Sequence, residues 1–345
     1  MGIYRNMLVT ASAAMLGAGA AAQSQVSIYG IVGTTLRHAS NAATPPQNAL
    51  EDGSFYASRI GFQGTEDLGG GNKAFFTLEM GIDPTTGTLQ PGPNATGSYG
   101  QAAAPNGRGF GRQSYVGIST DYGTVTLGRQ YTLAHTLSGR FQPQTNPNAP
   151  ALSVLPQWQI ARWDNMLKYD YTLGPLGLSA AYAFSEGNGK AASVGGLYKS
   201  GALEVDAYYE QMDSNGAAAD TRRVGAVGGS YQILPTLKGF AGFMKRTQRA
   251  STVENNIFTT GLLYDLTGAL QLTLALTADR QSAVGGTAQG KRSVGFGALE
   301  YRFSKRTSVY VEVDRNNVTG GYALPAFMIA KGQQTGISLG IQHRF

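Results

Sequence analysis

The sequence contains no cysteine among its 345 residues, which excludes thiolate catalysis, disulfide cross-links and cysteine-ligated zinc. Charged residues are also scarce, at 14% of the chain, compared with roughly 25% in an ordinary globular domain. Beyond the N-terminal segment there is no run of about 18 apolar residues, so no transmembrane helix is predicted. The formal net charge is only +6 and lysine-rich clusters are lacking, so no nucleic-acid partner is predicted.

The N-terminus has the pattern of a secretory signal. Arg5 supplies a basic start, residues 7–18 form a short apolar stretch, and "AGAAAQ" offers an A-x-A cleavage site after Ala22. The sequence therefore predicts a signal peptide over residues 1–22 and a single domain over residues 23–345. An N-terminal helix of the mature fold is the alternative, but the strand-like "QVSIYGIVG" follows immediately.

Strict alternation of apolar and polar residues dominates the remaining chain, as in 73–83, where Ala74, Phe76, Leu78, Met80 and Ile82 share one face. Most alternating segments have nine to fourteen residues, whereas strands of soluble domains average about five or six and membrane-spanning strands need about nine to eleven. Sixteen strands are predicted: 25–38, 54–65, 73–83, 109–120, 122–131, 161–172, 176–185, 192–200, 201–212, 222–232, 236–247, 256–265, 269–280, 291–303, 305–316 and 332–345.

The connections between these strands alternate between short turns, such as "DYG" and "LPT", and mostly longer loops, such as 84–108 and 132–160. This alternation is typical of an up-and-down barrel with two distinguishable ends. The faces opposite the apolar ones carry Arg, Lys, Glu, Gln, Ser, Thr and Gly, which suits a water-filled interior with lipid outside. An arginine facing lipid near the midplane would cost roughly 2–4 kcal/mol, so we expect Arg59 to face water inside the barrel.

Several segments resemble the general trimeric porins of β-proteobacterial outer membranes. They are "VSIYGIVG", "SRIGFQGTEDLGGGNKAFFTLEMGIDPTTG", "FGRQSYVGISTDYGTVTLGRQY", "RWDNMLKYDY" and "GIQHRF". The resemblance covers essentially the whole mature chain. It implies an all-β fold, a 16-stranded antiparallel transmembrane β-barrel with short periplasmic turns, longer extracellular loops and a third loop folded into the lumen. It also implies a homotrimer in the bacterial outer membrane and passive diffusion of small hydrophilic solutes.

Two features depart from the pattern of that family. Gly33 stands where the first strand usually has an acid, and the third loop, 132–160, contains no Asp or Glu. A loop of this length without a periodic pattern of its own is uncommon and usually has a function. Folding into the lumen as a constriction would be such a function. An exposed surface loop is the alternative.

The sequence predicts a pore lined by charged residues that favours anions, because a ladder of guanidinium groups concentrates anions in a narrow channel. By resemblance, Arg59, Arg112 and Arg162 match the lumenal arginines of the family. Alternation alone puts Arg112 on the same face as Val116 and Ile118, and gives Arg129 a structural role. The alternative is that the arginines only pair with lumenal acids and stiffen the wall. The predicted pore-lining residues are Arg59, Arg112, Arg162, Lys73, Lys168, Arg37, Arg140, Glu79 and Asp83.

The acids have an electrostatic rather than a catalytic interpretation. Glu79 and Asp83 are separated by about 13 Å along one strand at about 3.3 Å per residue, which is too far for an acid–base pair. We expect them to be counter-charges to Arg59 and the other arginines. Glu66 and Asp67 are predicted to cap the turn that follows them.

No catalytic or metal site is predicted. His38, His135 and His343 are scattered, no G-x-S-x-G motif occurs, and "DLGGGNKA" does not match a phosphate-binding loop. We therefore predict no enzyme activity, no metal and no cofactor. The C-terminal Phe345, preceded by alternating aliphatic residues, resembles the signal for outer-membrane barrel assembly.

The sequence thus predicts an outer-membrane diffusion channel for small anions and other hydrophilic solutes. The expected partners are outer-membrane lipid and lipopolysaccharide, two further copies of the chain and the barrel-assembly machinery. A substrate-selective channel for phosphate, organic anions or sugars is the first alternative. An enzyme or adhesin on a plugged barrel is the second.

Overall fold

The structure is a computed structural model that describes residues 25–43, 47–90, 99, 101, 104, 107–145, 147–155, 160–187, 189–214, 219–250, 252–282 and 289–345. The predicted signal peptide, residues 1–22, lies outside this part of the chain. No described helix is long and apolar enough to cross a membrane.

Sixteen long strands form the wall, and two short strands, β2 and β5, pair beside it. The strands are β1 Gln25–Ala39, β2 Asn48–Asp52, β3 Arg59–Gly69, β4 Asn72–Asp83, β5 Thr88–Gln90, β6 Gln113–Thr120, β7 Gly123–Tyr131, β8 Arg162–Leu173, β9 Leu176–Ala183, β10 Ala191–Ser200, β11 Leu203–Asp213, β12 Thr221–Leu234, β13 Leu237–Gln248, β14 Val253–Asp265, β15 Leu270–Gln281, β16 Gly290–Arg302, β17 Thr307–Gly320 and β18 Gly332–Arg344. The predicted 16-stranded barrel is confirmed.

Antiparallel pairing closes the sheet on itself. Each long strand pairs with its neighbours in sequence, and β18 pairs with β1 from Ile31↔Arg344 to Ala39↔Gly336. Closure leaves no unpaired strand edge, which an apolar membrane interior requires. The turns after β3, β6, β8, β10, β12, β14 and β16 are short, and both described termini lie at that end, which is the periplasmic end of such barrels.

The outer surface of the wall is apolar and the inner surface is polar. On β18, Ile337, Leu339 and Ile341 are 51%, 54% and 50% exposed, whereas Gln334 and Ser338 are buried inside the barrel. The apolar side chains face outward and therefore meet lipid, as alternation predicts. Buried apolar side chains gather chiefly where the loop after β7 packs against the inner wall.

Two predicted strands, 54–65 and 109–120, begin at least four residues later than expected. Residues 54–58 form a turn before β3, because the Asp52 carboxylate accepts hydrogen bonds from the backbone N–H groups of Gly53 and Ser58 at 2.8 and 3.1 Å. Similarly, β6 begins at Gln113 instead of residue 109. The backbone N–H of Arg112 still donates to Glu79 O at 3.1 Å, but Arg112 itself lies before the regular strand.

Candidate functional site: a constricted, basic lumen

The loop after β7 lies inside the barrel. It contains α1 Leu133–Ser138, two 3₁₀ turns at Gly139–Phe141 and Pro143–Thr145, and α2 Ala149–Leu152. The Thr132 side chain caps α1 by accepting from the backbone N–H of His135 at 3.1 Å. Ala134, Phe141 and Leu155 have no exposed surface, because they pack on inward-facing side chains of the wall. Of the predicted constriction loop 132–160, residues 146 and 156–159 lie outside the described chain.

Polar contacts attach this loop to the wall formed by β11–β17. Ser138 Oγ donates to the hydroxyl of Tyr208 at 2.8 Å, and Arg140 forms an ion pair with Glu204. Further along, Asn148 Nδ2 donates to Glu312 Oε1 at 2.8 Å. The loop is therefore held at several points along its length.

Arg292 reaches from β16 to the same loop. Its Nη2 donates to the carbonyl oxygen of Pro150 at 2.9 Å and to Ser153 Oγ at 2.8 Å, while Nε donates to Asn316 Oδ1 at 3.0 Å. This buried guanidinium fixes α2 on the wall. Alternation places Arg292 on the inner face, but no local pattern marks it as a loop contact, because its partners in the loop are about 140 residues away.

The ring of Phe141 fits a notch made by two glycines. An added Cβ at Gly228 or Gly242 would lie 2.3 Å from the ring, so only residues without a side chain leave room for it. The notch joins β12 and β13, where Gly228 and Gly242 are direct partners. This contact positions the centre of the constriction loop.

Three predicted arginines converge on Tyr131 and Glu79, on the wall that faces the loop. Arg112 Nε donates to Glu79 Oε1 at 2.7 Å, and its Nη2 donates to the Tyr131 hydroxyl at 2.6 Å. Arg162 Nη2 donates to the same hydroxyl at 2.9 Å, and its guanidinium lies 4.5 Å from the Tyr131 ring centroid. Arg59 is within electrostatic reach of both Arg112 and Glu79.

The placement of Arg112 corrects the expectation from alternation alone. Arg112 is buried inside the barrel. It precedes the first regular position of β6, so the alternation that turns Val116 and Ile118 outward does not apply to it. The β-bulge at Gly128/Gln130 similarly turns Arg129 inward. There, Arg129 and Arg108 both pair with Asp164.

The expected partners of Arg59 are only partly correct. Glu79 is near Arg59 but forms its ion pair with Arg112, and it accepts a hydrogen bond from the Tyr29 hydroxyl at 3.0 Å. Asp83 instead accepts from the backbone N–H and hydroxyl of Thr85 at 2.9 and 2.7 Å. Asp83 therefore closes a turn at the end of β4 and does not meet the arginines.

The other predicted lumenal residues are dispersed. Arg37 on β1 is paired at 2.7 Å with Asp314 on β17, which lies beyond β18 in the sheet. Lys168 is paired with Asp170 at 3.0 Å. Lys73 lies next to the β3–β4 turn, exposed at the periplasmic end. These positions line the interior but do not join the arginine cluster.

The turn after β3 differs in detail from the prediction. Asp67 Oδ1 accepts from the backbone N–H of Gly69 at 2.9 Å and so caps the turn as expected. Glu66 lies within β3 instead, paired with Ala74 across the hairpin. The strand simply extends further than the alternating segment suggested.

His135 stacks on Tyr131 with ring centroids 4.4 Å apart. Desolvation, reinforced by the positive charges of Arg162, Arg112 and Arg59, lowers the pKa of His135 from 6.5 to about 3. Docking of α1 is therefore favoured fully above pH 6.5 and weakens as the pH falls towards 3, because only the undocked ring takes up a proton.

We expect this weakening in amide exchange. At pH 4.5, relative to pH 7, the amides of 133–138 should lose protection beyond the intrinsic effect of pH in the native protein. The His135→Gln variant, compared at the same two pH values, should lack the additional loss. Equal pH responses in both proteins would contradict the assignment to His135.

A closed barrel with an apolar exterior, a polar interior and an infolded loop defines a channel of the outer-membrane type. The chain belongs to the Gram-negative porin family, whose family model matches residues 10–321. The predicted family and the outer-membrane location are thereby confirmed, and membership indicates a channel rather than an enzyme.

Individual relatives agree with this assignment. An outer membrane porin protein of Bordetella pertussis is 24% identical, and the alignment covers 99% of this chain and 100% of the relative. Among solved structures, an anion-selective porin from Comamonas acidovorans has a TM-score of 0.72 at 22% identity, covering 94% of this chain and all of that chain. A trimer form of OmpT from Vibrio cholerae has a TM-score of 0.71 at 16% identity, covering 93% and 99%. These structures are similar in fold.

Proposed function

We propose that this porin is a passive diffusion channel that prefers anions, and that the arginine cluster opposite the constriction loop sets the preference. The observation that carries the proposal is an excess of positive charge on that wall. Five guanidinium groups lie there, and Glu79 and Asp164 pair with three of them. Among the described residues, no carboxylate lies within 4.0 Å of Arg59 or Arg162.

The uncompensated charges act on ions because the loop folded into the barrel narrows the lumen. At 0.1 M salt the Debye length is about 10 Å, and at 1 M it is about 3 Å. An anion passing between the cluster and the loop thus feels Arg59 and Arg162 at low salt. The described part of the loop adds no carboxylate to oppose them.

Measurement in a planar bilayer tests the preference. Under a KCl gradient, the reversal potential should show that chloride permeates more readily than potassium, and the preference should shrink as the mean salt concentration rises from 0.1 to 1 M. A potassium preference, or a ratio independent of salt, would contradict the proposal. Inhibition of the chloride current by millimolar phosphate or organic anions would instead favour the substrate-selective alternative.

We also propose that the protein assembles as a homotrimer through the barrel-assembly machinery, with Phe345 as part of the assembly signal. The Phe345 ring packs over Gly30, where an added Cβ would lie 2.3 Å from it, and the two residues exchange backbone hydrogen bonds of 3.0 and 3.1 Å. The last residue thus completes the closure between β18 and β1. Sedimentation of the protein extracted in mild detergent tests the trimer, and a monomeric mass would reject it.

A further inference from the structure

Basic residues on the outer face of the barrel occur on one side of the molecule. On the long strands β1–β11, no outward position carries Lys or Arg, whereas β12–β17 carry five, all in the half nearer the extracellular loops. They are Arg223, Lys245, Arg280, Lys291 and Arg315. A cation on the lipid side is costly at mid-membrane and inexpensive near the interface, so this placement marks the level of the outer-leaflet headgroups.

Strand register aligns three of these cations in one row. Lys245 pairs with Asn256, Asn256 pairs with Arg280, and Arg280 pairs with Lys291. Neighbouring strands are about 4.8 Å apart, so Arg280 and Lys291 are close enough to contact one phosphate together. Lys245 is paired with Glu254 at 3.0 Å, whereas Arg280 and Lys291 make no ion pair with a described residue. We call Arg280 and Lys291 the outer cationic pair.

A groove on the lipid face begins below this pair. Its volume is about 730 Å³, and its lining includes Gly295, Gly297, Leu274, Leu276 and Val313. The glycines form the floor because they lack side chains, and an added Cβ at Gly295 would meet nothing closer than 3.7 Å. The lining is largely apolar and as long as several strand widths, so it suits an acyl chain.

Arg315 connects the groove to the headgroup level. It is the direct partner of Gly295 and lines the groove, and its guanidinium donates to the Gln333 side chain. A long basic side chain at this depth can extend its charge towards the interface while its stem covers apolar surface. The groove is thus apolar along its floor and cationic at its upper edge.

We propose that this face binds lipopolysaccharide specifically. The outer cationic pair and Arg315 would bind a lipid A phosphate, and the groove on the lipid face above Gly295 and Gly297 would hold one acyl chain. Charge complementarity identifies the headgroup, since each Lys or Arg near an anionic lipid surface strengthens binding to it. The adjoining groove identifies a lipid in place of a free anion. The site lies outside the lumen, so it is independent of the proposed ion preference.

The experiment uses the mature chain refolded in detergent without lipopolysaccharide, and native mass spectrometry with added hexa-acylated lipid A bisphosphate. R280Q/K291Q should weaken binding at least about tenfold. K305Q/R306Q removes two exposed cations from a periplasmic turn and should change binding less than about twofold. Equal loss in both variants, or none in R280Q/K291Q, would overturn the headgroup assignment. Conductance and ion preference should be unchanged in both.

Two further comparisons distinguish the contribution of the headgroup to binding from that of the acyl chain. Dephosphorylated lipid A and phosphatidylglycerol should both bind more weakly than lipid A bisphosphate, and inorganic phosphate should not compete. Gly295→Val should weaken lipid A binding with all charges retained, while Ala180→Val, outward on β9, should not. Native affinity in G295V would overturn the acyl-chain position, and equal affinity for phosphatidylglycerol would overturn the specificity.

Discussion

Replacing Arg59 by glutamate should lower the chloride-to-potassium permeability ratio more than reversing Arg108, Arg112 or Arg129, each of which is paired with an acid. Arg59 has no described carboxylate within ion-pair distance, and its Nε donates only to the backbone oxygen of Ala57, at 3.0 Å. The reversal therefore changes the local charge by two without releasing a paired acid. Two unit charges about 4 Å apart interact by about 4 kcal/mol at an effective dielectric near 20, so nearby ions should respond strongly.

A graded series gives the control. Arg59→Lys keeps the charge and should keep the ratio, Arg59→Gln should lower it, and Arg59→Glu should lower it further, towards or beyond equal permeability. All three should migrate as folded barrels in unheated SDS gels, because Arg59 holds no buried partner. If the Gln and Glu variants give the same ratio as the native protein, Arg59 does not affect the ion path. The differences should diminish at 1 M salt, where the Debye length is about 3 Å.

The wall of the barrel could be predicted because the pattern that specifies each strand lies within a short stretch of sequence. Alternation has a period of two residues, and each long strand carries enough repeats to reveal it, so all sixteen were placed within a few residues. The strands β2 Asn48–Asp52 and β5 Thr88–Gln90 were missed. Segments of five and three residues contain too few repeats to distinguish a strand from a loop.

The candidate site was less predictable because it depends on contacts distant in sequence. Alternation could not orient Arg112, because regular pairing begins only at Gln113, and it could not choose between Glu79 and Asp83 as the acid near the arginines. That choice depends on side-chain reach across β1, β3, β4 and β6. Tyr29 shares the inward face of β1 with Arg37, so alternation could have placed it in the lumen. The position of Asp164 could not be predicted in this way, because the bulge at Gly128/Gln130 shifts the register of β7 against β8.

Filling the glycine notch should detach the constriction loop. In Gly242→Val, the new Cβ would lie 2.3 Å from the ring of Phe141. The ring is fully buried, so it has no room to shift within the notch and must leave it. Removing a buried Phe contact costs about 3–5 kcal/mol, so amides of 139–145 should lose at least about a hundredfold in exchange protection. Strand amides of β12 and β13 should retain theirs, since valine favours strands.

Detachment should also alter the current. The detached loop remains tied to β7 at Tyr131 and leaves its place on the wall, so it can move only into the free lumen. The native channel should therefore show a steady open level, whereas G242V should show frequent partial closures. Gly225→Val is a matched control on β12, because its Cβ faces outward and meets nothing closer than 3.8 Å. A steady current in G242V, or flickering in G225V, would contradict this role of the notch.

A double-mutant cycle separates loss of the notch from general damage to β13. Phe141→Ala removes the ring without a clash and should itself loosen the loop. If Gly242→Val acts by expelling that ring, adding it to Phe141→Ala should change exchange protection little further, because nothing remains to be expelled. Residues in contact commonly show such non-additivity, with interaction energies of about 0.5–3 kcal/mol, whereas independent effects add. Additive effects would mean that valine at position 242 damages the strand itself, and that Phe141 is held by its other neighbours.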